Sequence, residues 1–120
     1  MRNGRECSLV LAGCLLAGPV LAQERGGQEI ALTLGTKGQK GRDGGKLFDR
    51  PTDIAWLPDG TFFISDGYGG TRVAKFAKDG TFIKDWGQPP KDRKNPGPNE
   101  FHTVHSIAVS DDRRLFVVDR

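Results

Sequence analysis

Residue types that can serve catalysis or metal binding occur in this sequence: the single tyrosine Tyr68, two histidines at positions 102 and 105, and arginines that include Arg120. A phenol that is ionised by cationic neighbours can take a proton from a substrate hydroxyl, an imidazole can bind a metal ion, and a guanidinium can hold a carboxylate through two parallel hydrogen bonds. One histidine cannot hold catalytic zinc, which needs three protein ligands and an open position. Each residue also has an ordinary alternative: hydrogen bonding at a strand end for His105, loop packing for Tyr68, and simple solvation for Arg120.

Other polar residues are weaker candidates for a catalytic or metal-binding role. His102 lies three residues before His105, a spacing that suits one face of a helix, whereas here both histidines fall where a loop enters a strand. His102 is therefore disfavoured as a second ligand. Asp59, Asp79 and the pair at 111–112 lie in turn sequences, so we predict that they shape turns and are not paired catalytic carboxylates.

The elements that must position these residues repeat along the chain. Pro51 to Tyr68 reads as a short apolar run, a Pro-Asp-Gly turn, a second apolar run and Asp-Gly-Tyr. A shift of 53 positions brings Ile54-Ala55 onto Ile107-Ala108 and Asp66 onto Asp119 without a gap. A long period built of short strands is typical of a propeller or a solenoid.

Alternating segments separated by Asp-Gly turns predict strands. One strand is expected at Glu29–Gly35, ahead of an antiparallel four-stranded meander over Pro51–Gly87. The expected strands of the meander and of the following unit are 53–57, 61–66, 72–77 and 81–86, then 105–109 and 114–119. The large apolar residues of the meander are expected in its core: Trp56, Phe63, Ile64, Phe76 and Trp86.

The N-terminus has the pattern of an export signal. Positive residues precede an apolar run that reaches Val20-Leu21-Ala22, so cleavage after Ala22 is expected, with a periplasmic or secreted product. Leu11-Ala12-Gly13-Cys14 leaves a lipoprotein anchored through Cys14 as the alternative. The run is too short and too interrupted by Gly and Pro for a membrane span. The chain's two cysteines lie in this segment, so no disulfide and no thiolate site is expected after cleavage at Ala22.

The expected organisation has five parts. Residues 1–22 form the signal peptide, and residues 23–46 a linker that includes the last strand of a preceding unit. Residues 47–87 form the four-stranded unit, residues 88–100 an exposed Pro-rich loop, and residues 101–120 the truncated start of the next unit. The 17 glycines and seven prolines suit short strands joined by turns. The net charge of +3 is small and mixed with acids, which argues against nucleic acid as a partner.

The repeated motifs resemble those of an NHL-repeat β-propeller. The resemblance rests on Pro51-Thr-Asp-Ile-Ala, Ile64-Ser-Asp-Gly-Tyr, Asp79-Gly-Thr-Phe-Ile and Trp86-Gly, and on Phe101-His-Thr-Val-His-Ser-Ile-Ala-Val before Phe116-Val-Val-Asp-Arg. Within that group the sequence is most similar to the peptidyl-α-hydroxyglycine α-amidating lyases and their bacterial relatives. The fold class implied is all-β, with one complete propeller blade and parts of its two neighbours.

The resemblance implies a six-bladed propeller with a histidine-bound zinc ion and, in the intact fold, a calcium ion. By its motifs, His105 resembles a zinc ligand, Tyr68 the catalytic tyrosine and Arg120 a substrate-binding arginine. Val104 departs from the proline usual before that histidine. The family's remaining zinc histidines and its catalytic arginine belong to blades that we do not find in this sequence.

The function implied is that of a zinc-dependent carbon–nitrogen lyase, acting on a peptide-like substrate. Because a blade buries its faces only against neighbours, we expect a fragment whose site is completed by missing blades of the same propeller. Whether the chain is itself an enzyme is left open. The alternative is a non-enzymatic NHL scaffold that binds a protein or small ligand. A lactonase-like hydrolase is a weaker reading, because its acidic metal site is not found.

Overall fold

The computed structural model describes residues 30–120, and Gly35–Arg120 forms one compact unit within it. Six strands occur in chain order, and no helix occurs among the described residues: β1 (Pro51–Trp56), β2 (Phe62–Asp66), β3 (Arg72–Phe76), β4 (Phe82–Trp86), β5 (Val104–Val109) and β6 (Leu115–Asp119). Strands β1 to β4 form an antiparallel sheet in sequence order, and β5 and β6 form a second, two-stranded sheet. The predicted meander and the first two strands of the next unit are confirmed to within two residues.

The two sheets repeat each other in register as well as in sequence. Pro51 pairs with Asp66 and Val104 pairs with Asp119, and all later pairs of the two hairpins are likewise offset by the same 53 positions. Each first strand also has a bulge at its second residue, Thr52 in β1 and His105 in β5. The local backbone is therefore the same at both places, while the side chain differs.

The predicted turn residues act as expected. The carboxylates of Asp59 and Asp79 each accept the backbone N–H two residues later, at 2.9 Å. The glycine after each aspartate adopts a φ of +88°, which closes the hairpin at no steric cost. In the third hairpin Arg113 stands in the equivalent place with a φ of +66°.

The strand predicted at Glu29–Gly35 is wrong over its described part, because residues 30–34 form no strand. Alternating β-compatible residues are not enough to form a strand, since a strand in a sheet needs hydrogen bonds to a partner strand. Only part of one neighbouring unit, β5 and β6, is therefore observed. The predicted signal peptide and residues 23–29 lie outside the described residues.

Residues 35–49 form a loop that lies against one face of the first sheet. Phe48 packs in an aromatic row with Phe76, Phe62 and Trp56 on that face. Arg72, fully buried, donates to Asp66 Oδ2 at 3.1 Å, to Asp85 Oδ2 at 2.8 Å and to the Leu47 carbonyl at 2.8 Å. Because a buried guanidinium must be paired on all sides, these contacts fix the loop to the sheet.

The opposite face of the first sheet packs against the second sheet. The shared core contains Ala55, Phe63, Val73, Val104 and Ile107, all buried. Trp86, half-buried, lies beside it with its ring centroid 6.2 Å from that of Phe63. The residues predicted as core thus line both faces, and only the two tryptophans remain half-buried.

Polar groups join the first strands of the two sheets. Asp53 Oδ2 accepts from Ser106 Oγ at 2.7 Å and from Ile107 N at 3.0 Å, and Thr52 Oγ1 donates to the Val104 carbonyl at 2.7 Å. Burial opposes ionisation of Asp53, but its hydrogen bonds from Ser106, Ile107 N and Ile54 N, with the charge of His105, hold its pKa below the ordinary value. We call these contacts the inter-sheet clamp.

The two sheets approach each other closely at Gly67. A Cβ on this residue would overlap the Val104 carbonyl oxygen and lie 3.2 Å from Thr52 Cγ2. Backbone cannot move aside as a flexible side chain can. The end of β2 therefore requires glycine so that β5 can lie beside β1.

We predict that Gly67→Ala lowers the free energy of unfolding by about 1–3 kcal/mol, because the methyl group overpacks the contact between the sheets. Chemical denaturation of the variant and the parent chain measures the change. Gly97→Ala is the matched control, since only the flexible Glu100 side chain lies near it, at 3.3 Å or more. Equal stability of the two variants would contradict the close approach.

We predict that Asp53→Asn costs about 1–2 kcal/mol at pH 7, because the amide nitrogen cannot accept the bonds of the clamp. A lowered folded-state pKa gives stability above the unfolded value of about 3.9, and that stability is lost as the pH falls through the folded value. The difference between parent and variant should therefore shrink below about pH 4. Denaturation between pH 7 and pH 3 measures it, with Asp111→Asn in an exposed turn as control.

Candidate functional site

The candidate site lies at one edge of the two sheets, where β2 ends and β5 begins. Tyr68 is the second residue after β2, and His105 is the second residue of β5. Their ring centroids are 6.0 Å apart in an edge-to-face arrangement. Two residues that are 37 positions apart in sequence are thereby brought into contact across the two sheets.

His105 owes its orientation to the bulge in β5. A bulge opposes two residues to one on the partner strand and redirects a side chain, and bulges are frequent beside active sites. The equivalent residue of the first sheet, Thr52, uses the same backbone shape to donate a hydrogen bond to Val104. His105 is exposed at this place, so its imidazole remains accessible to a ligand.

Tyr68 is 48% exposed, and the backbone on each side of it is held by contacts with other parts of the fold. Gly67 before it touches β5, and the N–H of Gly69 after it donates to the Asp49 carbonyl at 3.0 Å. The chain on both sides of the tyrosine is therefore held. Its phenol faces solvent as a group available for proton transfer.

Arg120 lies at the same edge, immediately after β6. Its N–H donates to the Thr103 carbonyl at 3.0 Å, which places its backbone beside the start of β5. Its side chain is exposed and makes no hydrogen bond or ion pair with the described residues. The structure thus brings Tyr68 and His105 together and leaves the Arg120 side chain at the edge without a contact to either.

Arg50 is a further residue at this edge, and its place there was not predicted from the sequence. Its guanidinium carbon lies 5.7 Å from the centroid of the Tyr68 ring, and its Nη2 donates to the Tyr68 carbonyl at 3.3 Å. Its Nε donates to Asp49 Oδ1 at 3.2 Å. No motif points to this residue, because the contact depends on the folded path of residues 49–50 past the Tyr68 loop.

The second histidine does not complete a metal site. The backbone N–H of His102 donates to the Asp119 carboxylate at 2.9 Å, and its Nε2 is enclosed without a hydrogen-bond partner. Across residues 30–120, no group of three or more His, Cys, Asp or Glu side chains is arranged to hold a metal ion. Because catalytic zinc takes three protein ligands, His105 with its described neighbours does not form a zinc site. Residues 30–120 also contain no helix long and apolar enough to cross a membrane.

No protein-family model matches the chain. Curated proteins do: the chain is 41% identical over 91 residues to peptidyl-glycine alpha-amidating monooxygenase B of Xenopus laevis, covering 74% of this chain and 10% of that protein. It is 45% identical over 65 residues to peptidyl-alpha-hydroxyglycine alpha-amidating lyase 1 of Drosophila melanogaster, and the match covers 53% of this chain and 12% of that protein. NHL repeat-containing protein 3 of Homo sapiens is 30% identical to the chain over 95 residues, and the match covers 77% of this chain and 26% of that protein.

The chain spans between a tenth and about a quarter of the length of these relatives. Antiparallel sheets of this size, repeated in register and packed face to face, are the units of a propeller. The chain is therefore a homologue of the peptidyl-hydroxyglycine amidating lyases and the NHL repeat-containing proteins, and its two sheets belong to an NHL-type β-propeller.

Proposed function

We propose that the chain provides part of the active site of a carbon–nitrogen lyase that converts an N-acyl-α-hydroxyglycine into an amide and glyoxylate. The observation that supports it is the contact between Tyr68 and His105 at an exposed edge of the propeller. Both residues match the motifs of the amidating lyases, and both have their reactive side chains accessible to solvent.

The reaction needs proton transfer and charge stabilisation at one carbon. The hydroxyl loses its proton as its oxygen becomes the carbonyl of glyoxylate, and the C–N bond breaks with its electron pair on nitrogen. The nitrogen takes up one proton, so the atoms balance without another reactant. Tyr68, in its phenolate form, would remove the hydroxyl proton. Arg120, which the resemblance implies as a substrate-binding residue, would contact the substrate at the same edge.

The described residues offer one zinc ligand only, His105. A complete site would need two further protein ligands from blades outside residues 30–120. The lengths of the relatives support a longer propeller, and the pattern of residues 1–22 supports export to the periplasm or beyond. We therefore propose that the chain is a fragment whose site is completed by other blades. A calcium ion in that intact fold stays a prediction.

A non-enzymatic binding scaffold is the second candidate. It is favoured by the incomplete ligand set and by the similarity to NHL repeat-containing protein 3, whose name states no activity. An exposed edge with Tyr68, His105 and Arg120 could then bind a peptide-like or protein ligand without turnover.

We predict that His105→Ala removes bound zinc from the full-length protein, because the site loses one of its ligands. Metal analysis of the purified variant measures it. His102→Ala is the matched control and should keep the metal, since the ring nitrogen Nε2 of His102 is enclosed. Zinc retained after His105→Ala would contradict the proposed ligand.

We predict that Tyr68→Phe lowers kcat for an N-acyl-α-hydroxyglycine by about 100- to 10,000-fold, the usual contribution of a general base. Release of glyoxylate measures it. The fold should be unaffected, because the phenol hydroxyl makes no hydrogen bond among the described residues. Absence of turnover in the parent protein, together with ligand binding at this edge, would support the scaffold.

A further inference from the structure

The Arg50 guanidinium makes two hydrogen bonds and is otherwise exposed to solvent. Its side chain is 66% exposed, yet Nε is bonded to Asp49 and Nη2 to the Tyr68 carbonyl. A guanidinium has five N–H donors. These contacts use two of them, so three remain directed to solvent or to a ligand beside the Tyr68 ring.

The backbone at Arg50 has an unfavourable conformation. Its φ is +65°, in the left-handed region that glycine adopts far more readily than arginine. A non-glycine residue held there costs about 1–3 kcal/mol, and such residues concentrate at functional sites. Glycine at this position would relieve the cost, so fold stability alone does not account for an arginine.

The residues before Arg50 explain how that conformation is maintained. The N–H of Asp49 donates to Asp66 Oδ1 at 2.8 Å, and Asp66 is fully buried and bonded to Arg72. Burial raises the pKa of Asp66, against its bonds from Asp49 N and from Arg72. Directly after Arg50, Pro51 begins β1. The chain is therefore fixed on both sides, and the guanidinium is carried to the Tyr68 ring.

We propose that Arg50 is a specificity-determining residue that binds the carboxylate of the ligand beside Tyr68. The proposal rests on the proposed function in taking an N-acylglycine as the ligand. A planar guanidinium already fixed at two donors loses little freedom when a carboxylate binds its remaining donors. Arg50 is better prepared for this than Arg120, whose side chain has no fixing contact among residues 30–120.

The test compares a carboxylate with its uncharged ester in the full-length protein. Benzoylglycine has no hydroxyl group, so it reports binding without turnover, and its methyl ester lacks the negative charge. We expect calorimetric titration to show binding of the acid about tenfold tighter than of the ester, as a charge-assisted hydrogen bond allows. Arg50→Gln should abolish that preference, and Arg50→Lys should keep part of it.

Two further variants separate ligand binding from folding. Arg50→Gly should lose the preference for the acid while melting at or above the temperature of the parent, because the backbone strain is relieved. Arg113→Gln changes another exposed arginine of positive φ, in the turn between β5 and β6, and should leave the preference unchanged.

The proposal is overturned if Arg50→Gln and Arg50→Gly still bind the acid about tenfold tighter than the ester. It is also overturned if the parent protein shows no preference, or if Arg120→Gln alone removes it. Loss of turnover in the Tyr68 variant bears on the lyase and not on this outcome, because benzoylglycine binding involves no chemical step.

Discussion

The contact between the first strands of the two sheets is the constraint on which the rest of the structure depends. Asp53 binds β5 through one carboxylate oxygen, Thr52 binds the Val104 carbonyl, and Gly67 allows the backbones to touch. Apolar packing between the sheets is not directional, and it would tolerate several ways of sliding one sheet over the other. The hydrogen bonds of the clamp select one of them. That arrangement is the one that places the residue after Gly67 beside the bulge of β5.

On the other face of the first sheet, a buried ionic group attaches the covering loop to the sheet. Arg72 ties two carboxylates of the sheet, Asp66 and Asp85, to the loop that covers it. Such a group is weak evidence for added stability, because desolvation offsets the attraction. Its role is positional: the loop it fixes ends at Asp49, and Asp49 leads directly into Arg50. The inter-sheet clamp thus positions Tyr68 and His105, and the opposite face positions the cation that contacts Tyr68.

One backbone unit serves two purposes in this chain. The bulge is the same in both sheets, but Thr52 uses it for a contact between sheets and His105 presents an imidazole at the surface. The acidic residues at the strand ends also correspond, since Asp66 accepts the N–H of Asp49 and Asp119 accepts that of His102. A propeller can therefore change one side chain at a fixed site in each unit and keep its packing.

The sequence by itself determined the strands, the turns and the repeat, because each is a local property: alternation places side chains on faces, and Asp59-Gly60 closes a hairpin wherever it occurs. Its motifs also predicted Tyr68, His105 and Arg120 as site residues, and those roles stay predictions. It was wrong about the strand at 29–35, since pairing requires a partner that local pattern does not reveal. Only the tertiary structure decided that Tyr68 contacts His105 and that Arg50 contacts Tyr68. These contacts depend on how two sheets and a loop approach one another, and no spacing along the chain encodes that distance.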